Sequence, residues 1–246
     1  MRIAAFISLP LLIIGIIFVK KRLPPREPGP LIDVSFFSDP RYCLFVAAQF
    51  LVLWGNWTPY FFVQTIAAQV GIPRAIDFYL LAIINGLSLP GRVIPGIIAD
   101  KVGPFNVFIP SALSAGILTY ALIGIHTPAG LYIYCVLYGL MSGAVISLLG
   151  PCCGQICPDM RKIGTMFGMV TGISSWAYVI PFSFVELAYC RTLTGTPIAG
   201  ALVTRENGGF TGALVFSGTV MILGGLCTLA ASLMQMRKEK KIFVHF

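Results

Sequence analysis

The sequence predicts an all-α protein, a polytopic membrane helical bundle of about seven transmembrane helices, on three observations. Apolar stretches at residues 3–19, 42–66, 76–99, 105–125, 129–150 and 210–234 each approach or exceed the roughly 20 residues that carry a helix across about 30 Å of hydrocarbon. Hydrophobic residues make up 57% of the chain and charged ones 11%, with a mean hydropathy of +0.88, so nearly every helix is apolar all round. A chain of 246 residues cannot build a water-soluble core large enough to enclose such helices, which leaves the lipid bilayer as their solvent. The basic residues, finally, sit beside the ends of the apolar stretches and on alternate connections.

That placement decides what the net charge of +8 means. No helical face collects the cations, so no nucleic-acid partner is expected. Lys20, Lys21, Arg22, Arg26 and Arg41 follow the first stretch, and Arg92 and Lys101 flank the turn after the third. Arg161 and Lys162 follow the fifth, and Arg237, Lys238, Lys240 and Lys241 lie at the end, making 13 of the 17 Lys and Arg on one side. The positive-inside rule puts that side in the cytoplasm, with the C-terminus inside and Met1 outside, and the plasma membrane is the expected host.

Taken in order, residues 1–19 read as an isolated transmembrane helix: Lys20-Lys21-Arg22 follows it at once and no small-residue cleavage site stands there. Residues 20–41 read as a cytoplasmic linker, with four prolines between Pro24 and Pro30 that bar helix. Ser38 or Asp39 is placed to cap the next helix. Residues 42–236 then form a six-helix bundle, and 237–246 a cytoplasmic basic tail. The 26 glycines let membrane helices approach closely, Gly139-x-x-x-Gly143 being one such pattern, and Pro59, Pro90, Pro95, Pro110 and Pro151 permit bends. Residues 163–203 are too long for one crossing. Gly172-Ile173-Ser174-Ser175 looks ready to run on into Leu193, so 176–192 reads as an insertion that lengthens this span and its outer loop.

Reaction chemistry is not evident. The seven cysteines are scattered through apolar segments apart from Cys152-Cys153-x-x-x-Cys157, and His126 and His245 lie elsewhere in the sequence. This is not a metal-ligand spacing, and no Ser/His/Asp set stands out, so no metal, cofactor or enzymatic site is expected.

The sharpest local signal follows the third stretch, where Gly96-x-x-x-Asp100-Lys101-x-Gly103 sits at a turn the charge pattern places in the cytoplasm. Glycine at 96 admits a neighbouring helix, and Asp100, one turn on and on the same face, can pair across to another helix. Lys101 can meet head groups or a carboxylate, and Gly103 can turn the chain. This run matches the cytoplasmic loop motif of the major facilitator superfamily. Leu23-Pro24-Pro25-Arg26, Gly91-Arg92-x-x-Pro95-Gly96, Gly103-Pro104-Phe105-Asn106, Pro158-Asp159-x-x-Lys162-Ile163-Gly164-Thr165 and Thr194-Gly195-Thr196-Pro197 further resemble its fungal monocarboxylate-transporter-like members. The resemblance implies half of a 12-helix fold, from the sixth family helix to the twelfth, with solute held at the midplane between two rocking halves. It implies a charge latch at Gly96, Asp100, Lys101 and Gly103, with Arg161 as a candidate partner for Asp100, and a missing N-terminal half as a partner.

Candidate solute-contacting residues are Arg92, Asn85, Asn56, Gln49 and Trp57. Arg92 is an ionisable group within a span, a functional candidate by default, with a snorkelling anchor or a pair to Asp100 as the alternative. Resemblance to animal monocarboxylate carriers implies that it binds a carboxylate, but the aspartate those carriers place four residues earlier is Ser88 here. Gln49, Asn56 and Gln64 recur on roughly one helical face, able to bond either a solute or neighbouring helices. The expected function is secondary-active transport of a small organic solute, a monocarboxylate among the candidates, by alternating access. The alternative is a truncated or mis-spliced membrane fragment that transports nothing without an N-terminal half.

Overall fold

The computed structural model describes residues 2–18, 32–157, 159, 161–187 and 210–243. The chain divides into two units, residues 1–30 and 31–246. In the first, helix α1 (Arg2–Phe18) carries Pro10 inside it and exposes Leu9, Leu12, Ile13, Ile16 and Ile17. The prolines from Pro24 to Pro30 lie outside the described residues.

The second unit is helical throughout its described residues. A single-turn 3-10 segment (Val34–Ser38) leads into α2 (Pro40–Asn56), α3 (Thr58–Gln69), α4 (Arg74–Val102) and α5 (Pro104–Ala121), then α6 (Pro128–Ile156), α7 (Ile163–Leu187) and α8 (Thr211–Phe243). The starts follow capping rules. Asp39 accepts the Arg41 N–H at 3.0 Å ahead of α2, and Thr127 accepts the Gly130 N–H at 3.3 Å ahead of α6, each with proline in the first turn. Gly103 separates α4 from α5 with φ +101°, a left-handed conformation that side chains other than glycine resist.

Among the described residues, four helical segments are long and apolar enough to cross a bilayer: Tyr79–Val102, Pro104–Gly124, Pro128–Ile156 and Thr211–Arg237. The stretch predicted at 42–66 is two helices, broken at Trp57, because Pro59 cannot continue the hydrogen-bond ladder. At the junction where an insertion was expected, α7 runs unbroken from Ser175 through Trp176 to Leu187, and the rest of 176–192 lies outside the described residues. Helix α8 extends to Phe243, so the basic tail from 237 onward continues the last helix.

Packing follows the small residues. Helix α4 lies on α6, α2 on α8, and α5 on both α6 and α8, while α7 packs against α2. The predicted Gly139/Gly143 pair is where α6 meets α4: a Cβ at Gly139 would stand 2.6 Å from the Ile84 carbonyl oxygen, and one at Gly143 2.5 Å from that of Ser88. Gly91 of α4 is likewise pressed onto the backbone of Leu140. Gly224 of α8 meets the Ala48 carbonyl of α2 at 2.9 Å in the same sense. Two buried clusters result, one around Phe45, Phe108, Leu148 and Met166, the other around Phe62, Leu80, Tyr134 and Met221. Cys152, Cys153 and Cys157 are buried in the first, and no metal-binding cluster occurs among the described residues.

Because backbone opposes it, Gly139→Ala is expected to destabilise by about 1–3 kcal/mol in detergent unfolding. Gly86→Ala, with nothing within 4 Å, is expected to be neutral or to gain up to about 1 kcal/mol. Equal effects of the two substitutions would refute the packing account.

Candidate functional site

The centre of the second unit is built around the α2–α3 break. Pro59 has no N–H, which strips the Gly55 carbonyl of its helical donor. The Ser217 hydroxyl of α8 donates to that carbonyl at 2.7 Å, and the Tyr138 hydroxyl of α6 donates to the Asn56 carbonyl at 2.6 Å. The two oxygens freed at the break are therefore bonded by side chains from two other helices, the general solution for a broken helix at membrane depth. An aromatic cluster lines the break. The Trp57 and Tyr60 rings are 5.4 Å apart, Tyr60 meets Tyr138 edge-on at 5.8 Å, and Tyr134 stacks on Tyr138 at 5.3 Å. The Tyr60 and Ser142 hydroxyls are bonded at 2.8 Å.

Beside this cluster runs α4, and its two faces differ. Leu80, Ile84, Ser88, Gly91 and Ala99 are buried. Asn85, Leu89, Arg92, Gly96 and Asp100, spaced 4, 3, 4 and 4 residues apart, form a stripe on another face, where only Gly96 is even half covered. Only 17% of the apolar window of α4 is buried, against 56% for α6 and 50% for α8. Arg92 stands ten residues before the end of α4, about 15 Å along the axis. Asn85 turns its amide onto its own helix, donating to the Leu81 carbonyl at 3.0 Å.

The other candidates do not gather there. Gln49 and Asn56 are fully buried on the stripe Tyr42, Phe45, Gln49, Val52, Asn56, which faces α5 through the Phe45–Phe105 ring contact at 5.8 Å and α6 through Tyr138. Their carboxamides have no hydrogen-bond partner among the described residues. Trp57 is half-buried at the break. Of the latch residues, Asp100, Lys101 and Arg161 are exposed, and no neighbouring helix stands within 4 Å of a Cβ at Gly96. Asp100 and Arg161 form no ion pair; the ion pairs among the described residues are Arg41–Asp39 and Lys162–Asp33.

The latter pair was not foreseen. Lys162, at the start of α7, donates to Asp33 at 2.6 Å across 129 residues and stands 6.0 Å from the Phe36 ring. The hydrogen bond from Lys162, then those from Ser35, hold the Asp33 carboxyl at about 2, below its ordinary 3.8. The same bond raises the Lys162 ammonium. A lowered carboxyl contributes stability above its ordinary value and loses it as pH falls through about 2; a raised lysine contributes below 10.5 and loses it at still higher pH. The tie thus persists across the neutral range.

No family model matches the chain. Curated fungal proteins match it along nearly its whole length. It is 34% identical over 245 residues to an MFS-type transporter, pynF, of Aspergillus niger, covering 98% of this chain and 53% of that protein. It is 32% identical to the aspyridones efflux protein apdF of Emericella nidulans (98% of this chain, 46% of that one) and 34% identical to the agnestins efflux protein AgnL12 of Paecilomyces divaricatus (94% and 50%). The chain belongs to the major facilitator superfamily. It is an integral membrane protein with the helices of half a major-facilitator bundle, and it spans about half the length of the curated relatives it matches.

Two outcomes follow from this geometry. Ser217→Ala removes the side-chain bond to the Gly55 carbonyl, leaving it only the Trp57 N–H, and is expected to cost about 1 kcal/mol in detergent unfolding, whereas Leu223→Met on the exposed side of α8 stays within about 0.5 kcal/mol. Asp33→Asn is expected to raise protease or hydrogen-exchange access to residues 32–38, while the parent segment shows constant access between about pH 5 and 9.

Proposed function

We propose that the chain forms the C-terminal half of a secondary-active carrier that moves a small organic solute by alternating access. Arg92 carries this reading. A guanidinium about 15 Å inside the end of an apolar helix is expensive in lipid, and it stands on the least covered helix of the bundle, which packs on α3 and α6, the helices that carry Tyr60 and Tyr138. A water-filled path between two halves resolves that cost, and repeat interfaces are where such carriers place their solutes. The open stripe of α4 is the wall such a path needs, with Asn85 and Arg92 as solute contacts and Asp100, Lys101 and Gly103 at its basic end. Gln49 and Asn56, buried as they are, would meet solute only in a conformation that opens α2.

Arg92 supports a solute with an acidic group, a monocarboxylate among the candidates. Ser88 argues for a protonation site other than the position one turn before Arg92. Two relatives are named as efflux proteins, which supports outward movement across the plasma membrane, and the basic ends of the helices support a cytoplasmic C-terminus. A second reading is favoured by one observation, the half-length match: a membrane fragment that transports nothing unless an N-terminal half joins it.

Export of labelled organic acids from yeast expressing the chain alone, or together with the N-terminal half of a relative, separates these readings. Activity is expected only with the added half, and Arg92→Ala is expected to lower it about tenfold or more, as the loss of a charge-assisted hydrogen bond does. Unchanged export by Arg92→Ala removes Arg92 from the solute path. Export by the chain alone would remove the fragment reading, and none in either arm would overturn the carrier reading.

A further inference from the structure

At the end of the bundle where the basic residues cluster, the 3-10 segment before α2, the start of α2, the α6–α7 turn and the end of α8 border an open-sided chamber of about 720 Å³. That volume falls within the roughly 300–1,000 Å³ of small-molecule sites. Its lining mixes the charges of Arg41, Lys162, Asp39 and Asp159 with an apolar wall that includes Met166 and Met234. We propose that this chamber binds the head group of an aminophospholipid, the ammonium toward Asp159 and the phosphate toward Lys162.

Three observations point to that class of ligand. Arg41 and Lys162 face Asp39, Asp159 and the Asp33 bonded to Lys162, so the site favours a ligand that carries an ammonium over a simple anion. Arg41 is paired with Asp39 and Lys162 with Asp33, so Asp159 is the carboxylate with capacity left for an ammonium, and Lys162 keeps protons for a phosphate oxygen. Lys162 is 42% exposed and gives one of its three protons to Asp33, and Asp159 takes the Arg161 N–H at 2.8 Å on one oxygen.

Depth supplies the second observation. Ile32 and Val34 are each 70% exposed and Phe37 43%, while Phe36, between them, is buried against the bundle. An exposed apolar edge on a short turn at the helix ends suits the boundary between head groups and acyl chains, which sets the adjoining chamber at head-group level. Third, the methionine wall gives the glycerol and first methylenes of a lipid a surface that a free metabolite would leave unused. The assignment needs only the membrane location and holds whether or not a solute crosses the bundle.

The test is thermal unfolding of the purified 246-residue chain in detergent, titrated with short-chain phosphatidylethanolamine, phosphatidylcholine or free phosphoethanolamine. The ethanolamine lipid is expected to raise Tm saturably and more than the choline lipid, whose quaternary nitrogen has no N–H to donate. Asp159→Asn and Asp159→Ser both keep an acceptor for the Arg161 N–H while removing the charge. Each is expected to weaken the ethanolamine lipid's apparent affinity about tenfold and to erase its advantage over choline. Equal shifts from the two lipids, or a preference that survives both substitutions, would overturn the proposal. So would full reproduction of the effect by free phosphoethanolamine, which would make the occupant a soluble ligand.

Discussion

In hydrocarbon a carbonyl that loses its helical donor has no water to turn to, and Pro59 creates one in the second span. Its ring removes the donor that Gly55 would otherwise have, and the break at Trp57 loosens Asn56 as well. Ser217 from α8 and Tyr138 from α6 donate to these two carbonyls at 2.7 and 2.6 Å, and the Trp57 N–H also turns back to Gly55. Each demands that its helix stand close to α2. That closeness is available because Gly55 presents no side chain to α8: a Cβ there would lie 2.6 Å from the Ser217 carbonyl oxygen. Proline, glycine and two hydroxyls thus form one device, in which breaking a helix and packing three together are the same event.

The glycines do more than close gaps; they decide which faces remain open. Helix α4 puts Gly91 and the backbone around Ile84 and Ser88 against the glycines of α6, and so commits one side to a dry contact. What remains outward is the stripe from Asn85 through Arg92 to Asp100. A helix with Arg and Asp on one side and close-packed glycine on the other cannot be rotated into lipid without exposing charge on that same side. Its orientation is therefore set twice, once by packing and once by the cost of charge in hydrocarbon.

Much of this was legible because it is local. Long apolar runs mark spans, Gly139 and Gly143 mark a close crossing, and Gly103 marks a turn that needs positive φ. Pro59 signals a break, although nothing in the neighbouring sequence names Ser217 and Tyr138 as its partners, 162 and 82 residues from the carbonyls they serve. Periodicity put Gln49 and Asn56 on one face of α2 but did not say what that face meets; it meets the interior. Lys162 and Asp33 likewise look like unrelated loop charges until the fold brings them to 2.6 Å. A face is a property of a segment, whereas its neighbour is a property of the fold.

The contrast between Gln49 and Arg92 bears on how a half-bundle relates to a carrier. Both are polar groups placed at membrane depth on apolar helices, and a bilayer penalises both. The carboxamide of Gln49 is sealed inside the bundle with no partner among the described residues, so its cost is met within this unit or in another conformation of it. Arg92 faces outward from the least covered helix, where lipid cannot solvate a guanidinium and no carboxylate among the described residues pairs with it. Its cost can be offset by a guanidinium that snorkels along α4 toward the interface, or by something beyond these helices: water, a solute anion, or a second half. On the carrier reading proposed above, Arg92 is the point at which this unit is energetically incomplete, and its face is the one that a partner half or a solute completes.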